Sequence, residues 1–266
     1  MINQRLNALK DRIAAGETLV GTGVFLTDPV ISEQLGNLGF DFVWIDGEHT
    51  VFSNEQIRNH IMAAELAGMA TFVRVPDHDP ATVKPLLEVA PDAVIFPMVN
   101  TAEEARQVVA ACLYPPKGVR GYGPLRAHRF GTVPNGEYVA DVAGCFWRIM
   151  QIEHALAVEN LEEILHVEGV DYIVVGPNDL SASIGHLGEY RHPDVMALMD
   201  RIGETCRRCG VPFGVSLGYD EQNIRDWVRR GASWIEVGAD WGYLQMGAQK
   251  NLEDTRRLCQ EKEAAG

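Results

Sequence analysis

Arg148-Ile-Met-Gln-Ile-Glu153 and, one unit later, Tyr172-Ile-Val-Val-Gly-Pro-Asn-Asp179 are apolar runs that each end in a carboxylate. A segment of helical character over about 156–166 separates them, so the pair reads as a βαβ unit with its parallel strands side by side. Neighbouring strands lie about 4.8 Å apart, so carboxylates at like ends of both can share one ion.

The same rhythm extends in both directions. Apolar runs at 19–25, 42–45, 71–75, 93–96, 147–152, 172–175, 212–216 and 234–237 predict eight strands. Helical patterns are predicted at 31–38, 54–67, 79–89, 102–112, 156–166, 194–209, 221–230 and 240–260, and an extra amphipathic helix at 3–15 has no strand before it. Asp79-Pro80 and Thr101…Glu104 carry helix-start signals, an N-cap before Pro and a capping box. Eight strand–helix units are the count of a closed (β/α)8 barrel. The competing doubly wound sheet wants a Gly-rich turn after its first strand, whereas Gly21-Thr-Gly23 lies within the strand. No linker or long repeat interrupts the chain, so residues 1–266 are expected to form a single domain. Only 113–144, rich in Gly, Pro and Arg, breaks the rhythm and reads as an elaborate loop.

Composition narrows the function. A net charge of −14 argues against nucleic acid or an anionic membrane as the main partner. No stretch has signal-peptide character or membrane-spanning length, and five scattered cysteines suit reduced thiols, so a cytoplasmic protein is expected. Cys206-Arg-Arg-Cys209 spells CxxC near the end of a helix, without the second pair of a zinc knuckle or the helix-start setting of a redox pair.

In a (β/α)8 barrel the chemistry gathers at the C-terminal ends of the strands. Those ends carry Asp46 and His49, then Arg74, then Gln151 and Glu153, then Asn178 and Asp179. Glu153 and Asp179 form an all-oxygen ligand set suited to Mg²⁺ or Mn²⁺; the competing reading has each carboxylate cap the helix that follows it. His49 suits a base working near neutral pH, or else a loop histidine held by backbone. Arg74, inside an apolar strand, needs an anion, either a protein carboxylate or a substrate. Gly118-Val-Arg-Gly-Tyr-Gly123 lacks the strand–turn–helix setting of a phosphate cradle. No Walker A, HExxH or GxSxG sequence is present. The five lysines (10, 84, 117, 250, 262) fall in helices or loops, away from the rim position a Schiff base requires.

Phe42-Val-Trp-Ile-Asp-Gly-Glu-His49, Val73-Arg-Val75, Pro97-Met-Val99, Tyr114-Pro-Pro-Lys-Gly-Val-Arg-Gly121, Gln151-Ile-Glu153 and Val175-Gly-Pro-Asn-Asp-Leu-Ser181 together resemble the HpcH/HpaI aldolase family. These are metal-dependent (class II) pyruvate aldolases, and the resemblance runs from about residue 5 to 257. It implies a barrel whose C-terminal helix is exchanged between subunits of a homohexamer, a trimer of dimers. It implies a divalent metal on Glu153 and Asp179, with Mg²⁺, Mn²⁺ or Co²⁺ as the ion. It assigns the base to His49 and the transition-state arginine to Arg74. The carboxylate that supports the base falls on Glu88, with Asp46 the nearer alternative in sequence. Gln151, Gly176, Pro177, Asn178 and Asp179 match positions that bind pyruvate.

The implied reaction is reversible cleavage of a 4-hydroxy-2-oxo acid to pyruvate and an aldehyde through a metal-stabilised enolate. Competing readings are a citramalyl- or malyl-CoA lyase, a phosphoenolpyruvate mutase-like lyase, and a non-catalytic binder of metal and 2-oxo acid. Tyr122, Arg126, His128 and Arg129 in the long loop are candidates to contact the distal end of the aldehyde, although loop arginines are more commonly solvated or paired at a subunit contact.

Overall fold

A computed structural model describes residues 3–264, with side chains to 261. The terminal residues of the expected 1–266 unit, and the Lys262 side chain, lie outside the described part. Eight parallel strands close on themselves in sequence order. They are β1 (Leu19–Val24), β2 (Phe42–Asp46), β3 (Ala70–Arg74), β4 (Ala93–Phe96), β5 (Trp147–Ile152), β6 (Tyr172–Val175), β7 (Phe213–Leu217) and β8 (Trp234–Ala239). The expectation of a (β/α)8 barrel holds.

The first helices are α1 (Gln4–Ala14), α2 (Val30–Asn37), α3 (Asn54–Leu66), α4 (Pro80–Glu88) and α5 (Ala102–Cys112). Asp79 caps α4 through the Ala81 amide, and Thr101 with Glu104 closes the capping box of α5. The long stretch is less irregular than expected: it carries α6 (Asn135–Asp141) between 3-10 turns at Arg129–Gly131 and Val142–Gly144. The helix expected at 156–166 is two short ones, α7 (Ala155–Glu159) and α8 (Leu161–Leu165), parted at Asn160. There the Asn160 side-chain amide donates to the Asn100 carbonyl at 2.9 Å. The turn at 176–179 is the first turn of α9 (Pro177–Ala182), with Pro177 at its first position. Then come α10 (Pro193–Cys209), stopped by left-handed Gly210, α11 (Glu221–Arg230) and the 25-residue α12 (Asp240–Ala264). No helix among the described residues is long and apolar enough to cross a membrane.

Alternation along the strands fills the barrel in layers. Phe42 and Trp44, Ala70 and Phe72, Trp147 and Ile149, and Trp234 form one apolar cluster with Leu6 and Leu9 of α1. Phe42 stacks on Phe72 at 4.5 Å between ring centres, and Trp234 meets both rings edge-on at 5.5 and 5.6 Å. Gly214 makes room for that indole, since a Cβ there would lie 2.0 Å from the ring. Below this layer α1 plugs the N-terminal mouth. Asn3 donates to Asp92 at 2.7 Å, and Arg5 pairs with the same carboxylate at 2.9 Å. Two residues further along the same strands the inward positions turn polar: Asp46, Arg74, Gln151 and Glu236, all buried. The apolar floor thus lifts the polar groups to the C-terminal mouth.

Candidate active site at the C-terminal mouth

Asp46 ends β2 directly beside Arg74 at the end of β3. Arg74 grips it with two donors, Nε to Oδ1 at 3.1 Å and Nη2 to Oδ2 at 2.5 Å. The fully buried Asp46 also accepts the backbone amides of Glu48 at 2.9 Å and His49 at 3.2 Å. One carboxylate therefore fixes the guanidinium and shapes the turn that presents the histidine. Gly47 is needed there, because a Cβ would lie 2.6 Å from the Arg74 carbonyl oxygen. The His49 side chain is 61% exposed. Burial acts most strongly on Arg74 and would lower its pKa, but Asp46, then Glu48 and Glu153, outweigh it and hold the charge.

Glu153, just past β5, turns into the barrel and is 3% exposed. Its Oε1 accepts the Met98 amide at 2.8 Å, and its Oε2 accepts the Gln151 side-chain amide. It caps no helix: His154 caps α7, and Gly176 precedes α9 without a side-chain cap. Burial pushes Glu153 up to about 7; the Met98 and Gln151 donors oppose this, while Asp179 and Glu48 reinforce it. Asp179 stands exposed in the first turn of α9, close enough for its charge to act on Glu153 and on Glu48. Gly176 lies against the pair, as a Cβ there would be 2.7 Å from Glu153 Oε2 and 3.2 Å from Gln151 Nε2. Asn178, also exposed, accepts from the Tyr190 hydroxyl.

Three participants were not singled out in the sequence. Glu48, within the Asp-Gly-Glu-His turn, lies 3.1 Å from Arg74 Nη1 and 3.8 Å from His49 Nε2. Burial raises its pKa, Arg74 and His49 lower it, and Asp46 and Asp179 raise it. Met98, held at φ 53°, aims its amide at Glu153; a backbone donor leaves no mark in a sequence. Glu236, on the inward face of β8, accepts from Ser216 at 2.6 Å. Burial pushes it up to about 8, against the Ser216 hydrogen bond and Arg74, with Asp46 adding to the rise. Its signal was a lone acid two residues after the inward Trp234.

Two expectations are not met within one chain. Glu88 ends α4, at the opposite mouth from the same chain's His49, and pairs with Arg120 at 2.9 Å. A helix that leaves a strand at the C-terminal mouth ends near the N-terminal one, so the last turn of α4 lies far down the barrel wall. For the same reason the loop residues Tyr122, Arg126, His128 and Arg129, which connect α5 to β5, lie near the N-terminal mouth. Arg126 pairs there with Glu65 at the end of α3 and donates to the Val89 carbonyl at 2.9 Å. The Gly118–Gly123 segment cradles no anion with its first amides, because Val119 and Arg120 donate to the Ala110 and Leu113 carbonyls at 2.8 and 2.9 Å.

The donor set fits a hard divalent ion. Buried Glu153, with Asp179 and Glu48 at the opening, gathers negative charge in the mouth, and all three offer oxygen. The buried Gln151 Oε1 has no partner.

Residues 22–245 match the HpcH/HpaI aldolase/citrate lyase family. The chain is 38% identical over 250 residues to the 5-keto-4-deoxy-D-glucarate aldolase of Salmonella arizonae, covering 94% of this chain and 96% of that one. The HpcH/HpaI aldolase of Desulfitobacterium hafniense superposes with a TM-score of 0.86 at 32% identity, covering 93% of this chain and 96% of its own. A HpcH/HpaI aldolase/citrate lyase family protein of Burkholderia cenocepacia gives 0.87 at 32% identity, covering 94% and 99%. With its barrel and nearly its whole length in common with these proteins, the chain belongs to the HpcH/HpaI aldolase/citrate lyase family.

Proposed function

We propose that the protein is a class II pyruvate aldolase that reversibly cleaves a 4-hydroxy-2-oxo acid to pyruvate and an aldehyde. The observation that carries this is the meeting of Glu153 and Asp179 with His49 and the Asp46-clamped Arg74 at one mouth. Glu153 and Asp179 would hold a divalent ion, Mg²⁺, Mn²⁺ or Co²⁺, which when bound supplies Lewis-acid charge for the 2-oxo and carboxylate oxygens of the substrate. The Gln151 amide, the Gly176–Pro177 turn and Asn178 border the same space and would seat the pyruvate half. His49 takes the proton of the C4 hydroxyl, the C3–C4 bond breaks, and its electron pair passes into the enolate of pyruvate. The Arg74 guanidinium, oriented in advance by Asp46, adds positive charge where the enolate oxygen develops. In the synthetic direction His49 returns its proton to the new alkoxide.

The preference for a sugar-acid substrate rests on the 5-keto-4-deoxy-D-glucarate aldolase relative. A cavity of about 540 Å³ opens beside Asn178 and is bordered by Tyr190, Arg191, Ser216 and Tyr219, hydroxyl-rich groups suited to a polyhydroxy or carboxylated aldehyde. The oligomer proposed is a homohexamer, supported by the exposed apolar residues of α12. A cytoplasmic location, where the five cysteines stay reduced, accords with the same reading. A panel of 4-hydroxy-2-oxo acids, scored by pyruvate release, tests the assignment. Cleavage of one or more is expected; turnover of malyl-CoA alone would favour the thioester lyases instead.

A further inference from the structure

The connection from α9 to α10, residues 183–192, brings a second set of ligating side chains together. His186, Glu189 and His192 each offer a ligand atom, and these atoms lie within 4.8 Å of one another. The two imidazoles are stacked, with ring centres 3.5 Å apart and planes 19° apart, so one ring has to turn out of the stack for both to present a nitrogen to one ion. His186 Nδ1 lies 3.0 Å from Glu189 Oε2, close to the roughly 3.3 Å edge of a tetrahedron built on zinc–ligand bonds of about 2.05 Å. The backbone by itself brings the three residues together. Left-handed Gly185 and Gly188 fold the loop back, and the amides of Glu189 and His192 donate at 2.9 Å to the carbonyls of His186 and Glu189.

We propose that His186, Glu189 and His192 form a second metal site, of zinc type, apart from Glu153 and Asp179. Ligand chemistry separates the two. Imidazole nitrogens with one carboxylate suit Zn²⁺, whereas the all-oxygen rim set suits Mg²⁺ or Mn²⁺. The ion takes the place of the hydrogen bond between His186 and Glu189, and three protein ligands leave a fourth position for water. Asp194, 3.8 Å from His192, adds negative charge to the surroundings, while the nearby cation Arg191 faces Asp220 at 3.6 Å. Tyr190 sits between the ligands and donates to Asn178, so an ion here fastens the loop that leans on the rim. A second cluster of Glu162, His166 and Cys209 is the competitor, but Arg208 already holds its carboxylate at 2.5 Å.

The test is a Zn²⁺ titration of the metal-stripped Glu153→Gln/Asp179→Asn variant by calorimetry, repeated with Co²⁺ and read by visible absorption. The expected result is one Zn²⁺ per chain and the intense bands of a four- or five-coordinate Co²⁺ site. Adding His192→Asn, which preserves a residue able to cap α10, or His186→Gln should weaken Zn²⁺ binding at least ~100-fold, and Glu189→Gln about 10-fold. Titrating the unaltered protein in excess Mg²⁺ gives the same answer should the double variant not fold. Absence of saturable binding, binding indifferent to the two histidine variants, or binding lost with His166→Ala instead would overturn the proposal.

Discussion

Arg74 and Asp46 form the most tightly specified pair in the mouth, and the geometry demands a guanidinium. A lysine at 74 keeps the charge but loses the two-pronged grip on Asp46. Arg74→Lys is therefore expected to lower kcat by roughly 10²–10³-fold with KM little changed, measured by steady-state pyruvate release. Glu236 gives a pH signature of a different kind. Its folded pKa of about 8 lies above the ordinary 4.5, so the folded state binds the extra proton between those values. Its contribution to stability is complete below pH 4.5 and is lost as pH rises towards 8, by up to ~1.4 kcal/mol per pH unit. Glu236→Gln should remove that slope and stabilise the protein at pH 7.5 relative to pH 5, as read by urea denaturation. Parallel pH slopes for both proteins would contradict the account. At this scale the sequence was readable wherever a side chain marked the end of an apolar run, as with Asp46, Arg74, Gln151 and Glu153. It was not readable for Met98, whose contribution is an amide, or for Glu48, whose nearer partner, Arg74, comes from the next strand.

Elements explain why these residues meet. The β5 and β6 runs end beside one another, with Ile152 opposite Val175, as their sequences implied. Gly176 then lets α9 start flush against Glu153. Gly176→Ala should push the Glu153 carboxylate aside, weakening divalent-ion binding about 10–100-fold and costing ~1–3 kcal/mol of stability. Unchanged ion affinity in a folded variant would count against the shared site. The same topology explains where the reading failed. Glu88 and the 113–144 segment lie at the ends of helices returning to the N-terminal mouth, and the direction of travel around a βα unit outweighs a matching motif. The strand count was robust because nearly all strand positions are buried, Val20 of β1 being an exposed exception, whereas the break at Asn160 comes with a side-chain hydrogen bond to a distant carbonyl.

Across the whole molecule, α12 packs on the barrel through its first turn, where the Tyr243 hydroxyl bonds to Thr22 and Val237, and leaves most of its remaining length exposed in one chain. Trp241, Leu244, Met246, Leu252 and Leu258 are each at least half exposed along it, more apolar surface than a helix in water ordinarily shows. Sedimentation of the full chain is expected to give a hexamer, and a chain ending at Gly247 a smaller species with its barrel intact. A monomeric full chain would refute helix exchange. The central claim remains chemical: two carboxylates hold a divalent ion at the mouth where His49 and Arg74 act. Its most direct test is pyruvate release from a 4-hydroxy-2-oxo acid by protein stripped with a chelator and then resupplied with Mg²⁺ or Mn²⁺. The account predicts loss of activity on stripping and its return with the ion; full activity in the stripped protein, abolished by borohydride in the presence of pyruvate, would contradict it.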